Sequence, residues 1–262
     1  MLHLPVKDSS AVSDAPTKDA AEAFPANTFP VSTRNKIKRV HERGSYDKAA
    51  VFAILDAALL CHVSYVIDGQ PFCTPTLFWR EGEVLYWHGS AASRMLKHLK
   101  QGTPACLTVS HLDGLVLARS GFHHSANYRS AMCFGTAQFV EDADEKLQAL
   151  KNVVDRFYPG RTKTLRAIDP QEFKATSVIK MRIDEASAKV RAKNVVDDEE
   201  DYATPLWAGV IPVAQVIGTE DPCPRLIPGM KRPENLSAYR EGRRLDETFI
   251  EMQRKYDERG GE

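Results

Sequence analysis

Between Leu59 and Asp142 the chain breaks into six short runs of strand-forming residues: "LLCHVSYVIDGQ", "FCTPTLFWREGE", "VLYWHG", "ACLTVSHLDG", "LVLARSGF" and "SAMCFGTAQFVED". The pairs Asp68-Gly69, Glu81-Gly82 and Asp113-Gly114 read as hairpin turns, because glycine adopts positive φ at little steric cost. Consecutive strands joined by turns this tight pair antiparallel. Six of them imply a sheet that curls on itself, a mainly β architecture with flanking helices.

The helices have their own period. Val51, Phe52, Leu55, Ala58 and Leu59 share one face after a cap at Ser45 or Asp47. Between the third and fourth strands, Ala92, Met95, Leu96 and Leu99 line a second helix that Gly102 and Pro104 end. A third runs from about Asp144 to Tyr158 through Leu147, Leu150, Val154 and Phe157, and stops at Pro159-Gly160. "TSVIKMRID" is a further strand, and "PLWAGVIPV" a short strand or extended segment. The tail from Pro233 to Glu262 is a charged amphipathic helix through Tyr239, Leu245, Phe249, Met252 and Tyr256. Residues 1–33, rich in Ala, Ser, Asp and Pro, read as an arm outside the core. The expected organisation is therefore an arm (1–33), a main domain (34–215), and a Pro-rich segment with a charged helix (216–262).

Charge and cysteine content narrow the setting. Thirty-five basic and 35 acidic side chains cancel, which argues against a general nucleic-acid or anionic-membrane binder. The five cysteines are widely spaced and form no C-x-x-C pair, so they read as reduced thiols of a cytoplasmic protein. No apolar run approaches a membrane span.

Three segments carry more polar chemistry than a scaffold requires. In "HGSAASR", a strand ends where a helix begins, so unpaired backbone N–H groups converge beside small residues. Ser90 and Ser93 add hydroxyls, and Arg94 with Lys97 adds positive charge, a donor set that suits a phosphate; the plainer reading is a helix cap and a solvated basic face. The second segment, residues 111–135, holds His111, His123, His124, Tyr128, Arg129 and Ser130, and fits either a polar dimer seam or a binding cleft. It has no matched carboxylate or cysteine set, so no metal site is expected. The third, residues 197–213, joins an acidic run to Trp207, an aromatic that either belongs to the core or walls a flat ligand.

Taken together, "RGSYDKAAVFAILDAALLCHVSYVIDGQPFCTPTLFW", "LYWHGSAASRMLKHL", "DGLVLARSGFHHSANYRSAMCFG" and "SAKVRAKNVVDDEEDYATPLWAGVIP" resemble the flavin-nucleotide-binding branch of the pyridoxamine 5′-phosphate oxidase-like superfamily, the branch that includes the nitroimidazole-resistance proteins. The motifs span about residues 43 to 213. The resemblance implies an antiparallel, FMN-binding split β-barrel, homodimeric, with a cofactor cleft at the subunit interface. FMN is the cofactor implied, with FAD and haem as alternatives. It maps the flavin phosphate onto Ser90, Ser93, Arg94 and Lys97. It sets the backbone of Pro75, Thr76 and Leu77 along the ring edge with His88 beside it, and brings Tyr128, Arg129, Ser130 and Trp207 from the second subunit. His88, His123 and His124 are the candidates for acid–base work. The arginine-rich aromatic C-terminal motif of the classical oxidases is missing, so pyridoxamine phosphate oxidation itself is not implied. The function expected is a flavin-dependent oxidoreductase acting on a small molecule; the alternative is a flavin- or haem-binding module that stores or senses cofactor.

Overall fold

In the computed structural model, residues 27–100 and 102–259 are described. Nine strands form one antiparallel sheet: β1 (Gly44–Ser45), β2 (Leu60–Ile67), β3 (Gln70–Glu81), β4 (Val84–Ser90), β5 (Thr103–Leu117), β6 (Ser125–Phe139), β7 (Thr176–Arg182), β8 (Glu185–Arg191) and β9 (Gly209–Pro212). Their order is β1-β8-β6-β7-β4-β3-β2-β5-β9, and a further pairing of β5 with β6 closes six of them into a barrel. The closure depends on β6 changing neighbours. Tyr128 to Phe134 pair with β8, whereas Ala137 to Phe139 pair with β7.

Alternation sorts each strand into two faces. On β2, Cys61, Val63 and Tyr65 point inward and are buried, while Leu60, His62 and Val66 point outward. Phe78, Leu85, Trp87, Leu107, Val109, Ala131 and Ile179 join them inside the barrel. A second core lies between the outer barrel wall and two helices, α3 (Ala143–Phe157) and α5 (Leu245–Arg259); Trp79, Val178, Phe157 and Phe249 fill it. Asp47 caps α1 (Lys48–Asp56) and Asp142 caps α3, each accepting an amide N–H three residues on, and Asp169 caps the short α4 (Pro170–Ala175) by accepting from Gln171 N. The buried Arg80 guanidinium grips both oxygens of Asp56 at 2.8 and 2.7 Å, tying β3 to the end of α1.

Several sequence expectations change. The two runs either side of Asp113-Gly114 are one 15-residue strand, β5, with a bulge between Leu112 and Gly114 in place of a turn. Gly114 is not among the positive-φ glycines. β8, "EASAKVR", gives no strand signal in the sequence, because Ala186, Ser187 and Ala188 carry little β propensity, yet all three are buried in the sheet. The helix after β4 is short: α2 (Arg94–Leu99) buries Met95, Leu96 and Leu99, but Ala92 is exposed before its start. The tail helix begins at Leu245; Tyr239 precedes it, its hydroxyl donating to the Phe157 carbonyl. Phe29, within the stretch read as an arm, is 1% exposed and packs in the core. The rest of that stretch, up to residue 26, lies outside the described residues. Among the described residues no helix is long and apolar enough to cross a membrane.

Candidate functional site

β3 and β4 part company. Their ladder runs from Glu81–Val84 to Phe78–Trp87 and stops there. Beyond it β3 continues along β2 as far as Gln70, while β4 continues along β7 as far as Ser90. Pro75, Thr76 and Leu77 therefore lie just past the fork, paired with β2 on one edge and with no β4 ladder on the other. Pro75 and Leu77 are exposed on the outer face, where Pro75 stands beside His62, then Thr108, then Met132 in register across four strands.

At the far end of the fork the turn after β4 holds its own backbone together. Ser90 Oγ accepts from Ala92 N at 3.2 Å, and the Ser90 carbonyl accepts from Ser93 N at 2.8 Å. Ser93 makes no side-chain cap bond. The Arg94 guanidinium lies 4.4 Å from the Phe72 ring centroid, so it leans back from α2 across the fork onto β3. Arg94 and Lys97 are exposed, and among the described residues neither makes an ion pair. Two cations and two hydroxyls thus stand on one turn and the short helix after it, and among the described residues no carboxylate pairs with either cation. His88 sits between this corner and the second core, 6.0 Å from the Trp79 ring. Its Nδ1 is buried and bonded to no group among the described residues, and burial lowers its pKa from the ordinary histidine value.

The residues expected from a second subunit lie away from the fork within this chain. Tyr128, Arg129 and Ser130 are half-buried on β6, where they pair with β5 and β8 and with neither arm of the fork. Arg129 is held by Asp113 and by Asp246 of α5, and Ser130 Oγ donates to the Lys189 carbonyl at 3.4 Å. Trp207, just before β9, is 67% exposed. The three histidines have separate partners. His111 donates from Nε2 to the Ile54 carbonyl, His123 Nε2 lies 3.2 Å from Asp198, and His124 donates from Nδ1 to the Ser120 carbonyl at 2.8 Å. His123, Asp198 and Asp201 bring potential ligand atoms within 4.8 Å of one another, Asp198 exposed and the other two half-buried, so the structure supplies the carboxylates that the segment around His123 lacks in sequence.

Sequence reasoning missed two participants. His62 projects from β2 beside Pro75, and its outward direction was available from the alternation of Cys61, Val63 and Tyr65. Asp246 reaches Arg129 across 117 positions, and no local signal announces that.

The closed six-strand ring with its fork between β3 and β4 defines an antiparallel split barrel. The family model for pyridoxamine 5′-phosphate oxidase matches residues 47–190, and the chain belongs to that oxidase-like family. The structure of the flavocytochrome Anf3 from Azotobacter vinelandii is 46% identical, covering 80% of this chain and 98% of that one, with a TM-score of 0.76. An FAD and haem binding protein from Mycobacterium smegmatis is 36% identical, covering 78% and 98%, with a TM-score of 0.73. Among curated proteins no match is found.

Proposed function

We propose that this protein binds a flavin nucleotide at the β3–β4 fork, FMN or the FMN half of FAD, and works as a flavin-dependent oxidoreductase on a small molecule. One observation carries the reading: Arg94 and Lys97, without ion-pair partners among the described residues, stand with Ser90 and Ser93 at the end of an unpaired β3 edge. That donor set fits a phosphate monoester. The flavin would supply reversible electron transfer that no side chain here supplies.

The chain's own residues then divide the remaining work. Pro75, Thr76 and Leu77 offer the ring a strand edge without a β4 partner, and the exposed Pro75 and Leu77 side chains give it apolar surface to lie against. His88, which burial favours in its neutral form, presents a nitrogen able to accept or release a proton beside the ring. Tyr128, Arg129, Ser130 and Trp207, contributed by a second copy, close the cleft, which makes the working unit a homodimer. His123 and His124 lie on the same hairpin tip as alternative acid–base groups. Five free thiols suit the cytoplasm.

A second reading, haem alongside flavin, is favoured by the names of the two relatives and by His124. With Nδ1–H spent on the Ser120 carbonyl, the His124 tautomer is set and Nε2 keeps its lone pair, the arrangement a metal-binding imidazole uses. The absorption spectrum of the purified protein, with identification of the released cofactor, tests both readings. Flavin bands that bleach anaerobically with NADH or NADPH are expected. A flavin that stays oxidised with either donor makes the protein a binding module, and a colourless protein whose melting temperature FMN and FAD leave unchanged overturns the proposal.

A further inference from the structure

We infer that His123, Asp198 and Asp201 form a binding site for a divalent cation of the zinc type, where the turn from β5 to β6 meets the turn after Asp197. The site uses none of the fork residues, so it and the flavin reading can fail separately.

Asp198 and Asp201 flank the start of a 3₁₀ turn, Glu199–Ala203. Side chains three apart eclipse one another in that helix, so the two carboxylates come to one side of it. Asp198 stands at the N-cap position yet makes no side-chain cap bond. Its carboxylate instead lies 3.2 Å from His123 Nε2, and the ligand atoms of all three residues fall within 4.8 Å of one another. Tetrahedral donors at zinc's bond lengths stand roughly 3.3–3.6 Å apart, close to the separation His123 and Asp198 already have. Completing the set takes a side-chain rotation of about 1 Å at Asp201.

The two turns are fastened to each other beside the site. The Asp197 side chain, 0% exposed, accepts from Arg119 N at 3.1 Å and from Arg119 Nη1 at 3.0 Å. The Arg119 guanidinium also lies 4.9 Å from the Tyr202 ring centroid, and the Phe122 ring meets the His123 imidazole edge-on at 5.2 Å. The residue before the first aspartate is therefore pinned to the residue four before the histidine, which preorganises the donors. Asp197 is neutralised by Arg119, but Glu199, Glu200 and Asp201 make no ion pair among the described residues, so the turn keeps a local negative charge that draws cations. The imidazole selects among them. One nitrogen and two carboxylates suit zinc and its first-row neighbours, whereas Mg²⁺ and Ca²⁺ take oxygen ligands throughout. Three protein ligands leave a position for water, and a cation on Nε2 removes His123 from the acid–base candidates, leaving His88 and His124.

The test titrates the full chain, washed with EDTA and exchanged into clean buffer, with Zn²⁺ by calorimetry and with Co²⁺ by absorption. Cobalt on a thiolate shows a near-ultraviolet charge-transfer band that nitrogen and oxygen ligands do not give, so the five free cysteines are told apart from the site. Asp198→Asn, Asp201→Asn and His123→Gln are compared with wild type, the exposed Glu200→Gln serves as control, and circular dichroism confirms that each folds. One equivalent of Zn²⁺ should bind wild type and Glu200→Gln alike, each ligand variant should bind it about tenfold or more weakly, and Mg²⁺ should not compete. Equal affinity in wild type and all three ligand variants, an equal loss in Glu200→Gln, a thiolate band that accounts for all the bound cobalt, or no binding at all would overturn the site. Zinc binding of the expected pattern in a chain that takes up no flavin would uphold the site and sink the flavin reading alone.

Discussion

The guanidinium of Arg129 donates to both carboxylate oxygens of Asp113, from Nε at 2.9 Å and from Nη2 at 2.7 Å, and the same Nη2 lies 3.0 Å from Asp246. One side chain on β6 thus holds the bulged part of β5 and the start of α5 together. Arg244 adds two more bonds to Asp246, at 3.1 and 2.8 Å.

This cluster makes part of the stability pH-dependent. Burial alone would raise the Asp246 pKa, but the hydrogen bonds from Arg244 and Arg129 outweigh it and hold the value down to about 2. A carboxyl that ionises more readily in the folded than in the unfolded chain stabilises the fold above the unfolded value of about 4, and that contribution disappears as pH falls toward 2. Asp246→Asn should lower the melting temperature at pH 7 and flatten its fall between pH 4 and 2. A melting profile with the wild-type acid limb would refute the assignment.

Gly135 is required where β6 leaves β8 for β7. A Cβ there would stand 2.1 Å from the Arg182 carbonyl oxygen and 2.8 Å from Met181 Cγ, with no flexible side-chain end to yield. Gly135→Ala should cost about 1–3 kcal/mol or more in urea unfolding, the scale of forced overpacking. Gly121→Ala, whose Cβ meets nothing within 4 Å, is the control and should change little. Equal stabilities for the two variants would mean that the crossing has room.

Arg94 tests the phosphate corner apart from folding, because its side chain is exposed. Arg94→Ala should weaken FMN binding by roughly 1.5–3 kcal/mol, the scale of a hydrogen bond to a charged group. Riboflavin, which has no phosphate, should bind the two proteins alike in equilibrium titrations. Parallel losses for both ligands would place Arg94 away from the phosphate.

Glycine illustrates how far local reading reaches. Asp68-Gly69 and Gly82 do turn the chain, with φ of 49°, 74° and 56°. Asp113-Gly114 looks the same in sequence yet lies inside a strand. There the glycine gives room to β9, since a Cβ would meet Val210 at 3.1 Å and the Ile211 carbonyl at 3.2 Å, and the aspartate serves Arg129. Two demands, one for positive φ and one for close approach, select the same residue. Only the neighbour tells them apart.

Sequence alone determined what depends on each residue's own φ preference and on alternation: the hairpins at Gly69 and Gly82, the alternating faces of β2, the capped start of α1, and the polar turn after β4. Tertiary structure decided which edges met. That β6 divides between β8 and β7 and that β3 and β4 fork follow from closing the barrel, and that Asp246 returns to Arg129 follows from docking α5 on it. Closure is a property of the whole chain, because many strand edges are locally equivalent and only simultaneous burial of their inward faces selects one arrangement.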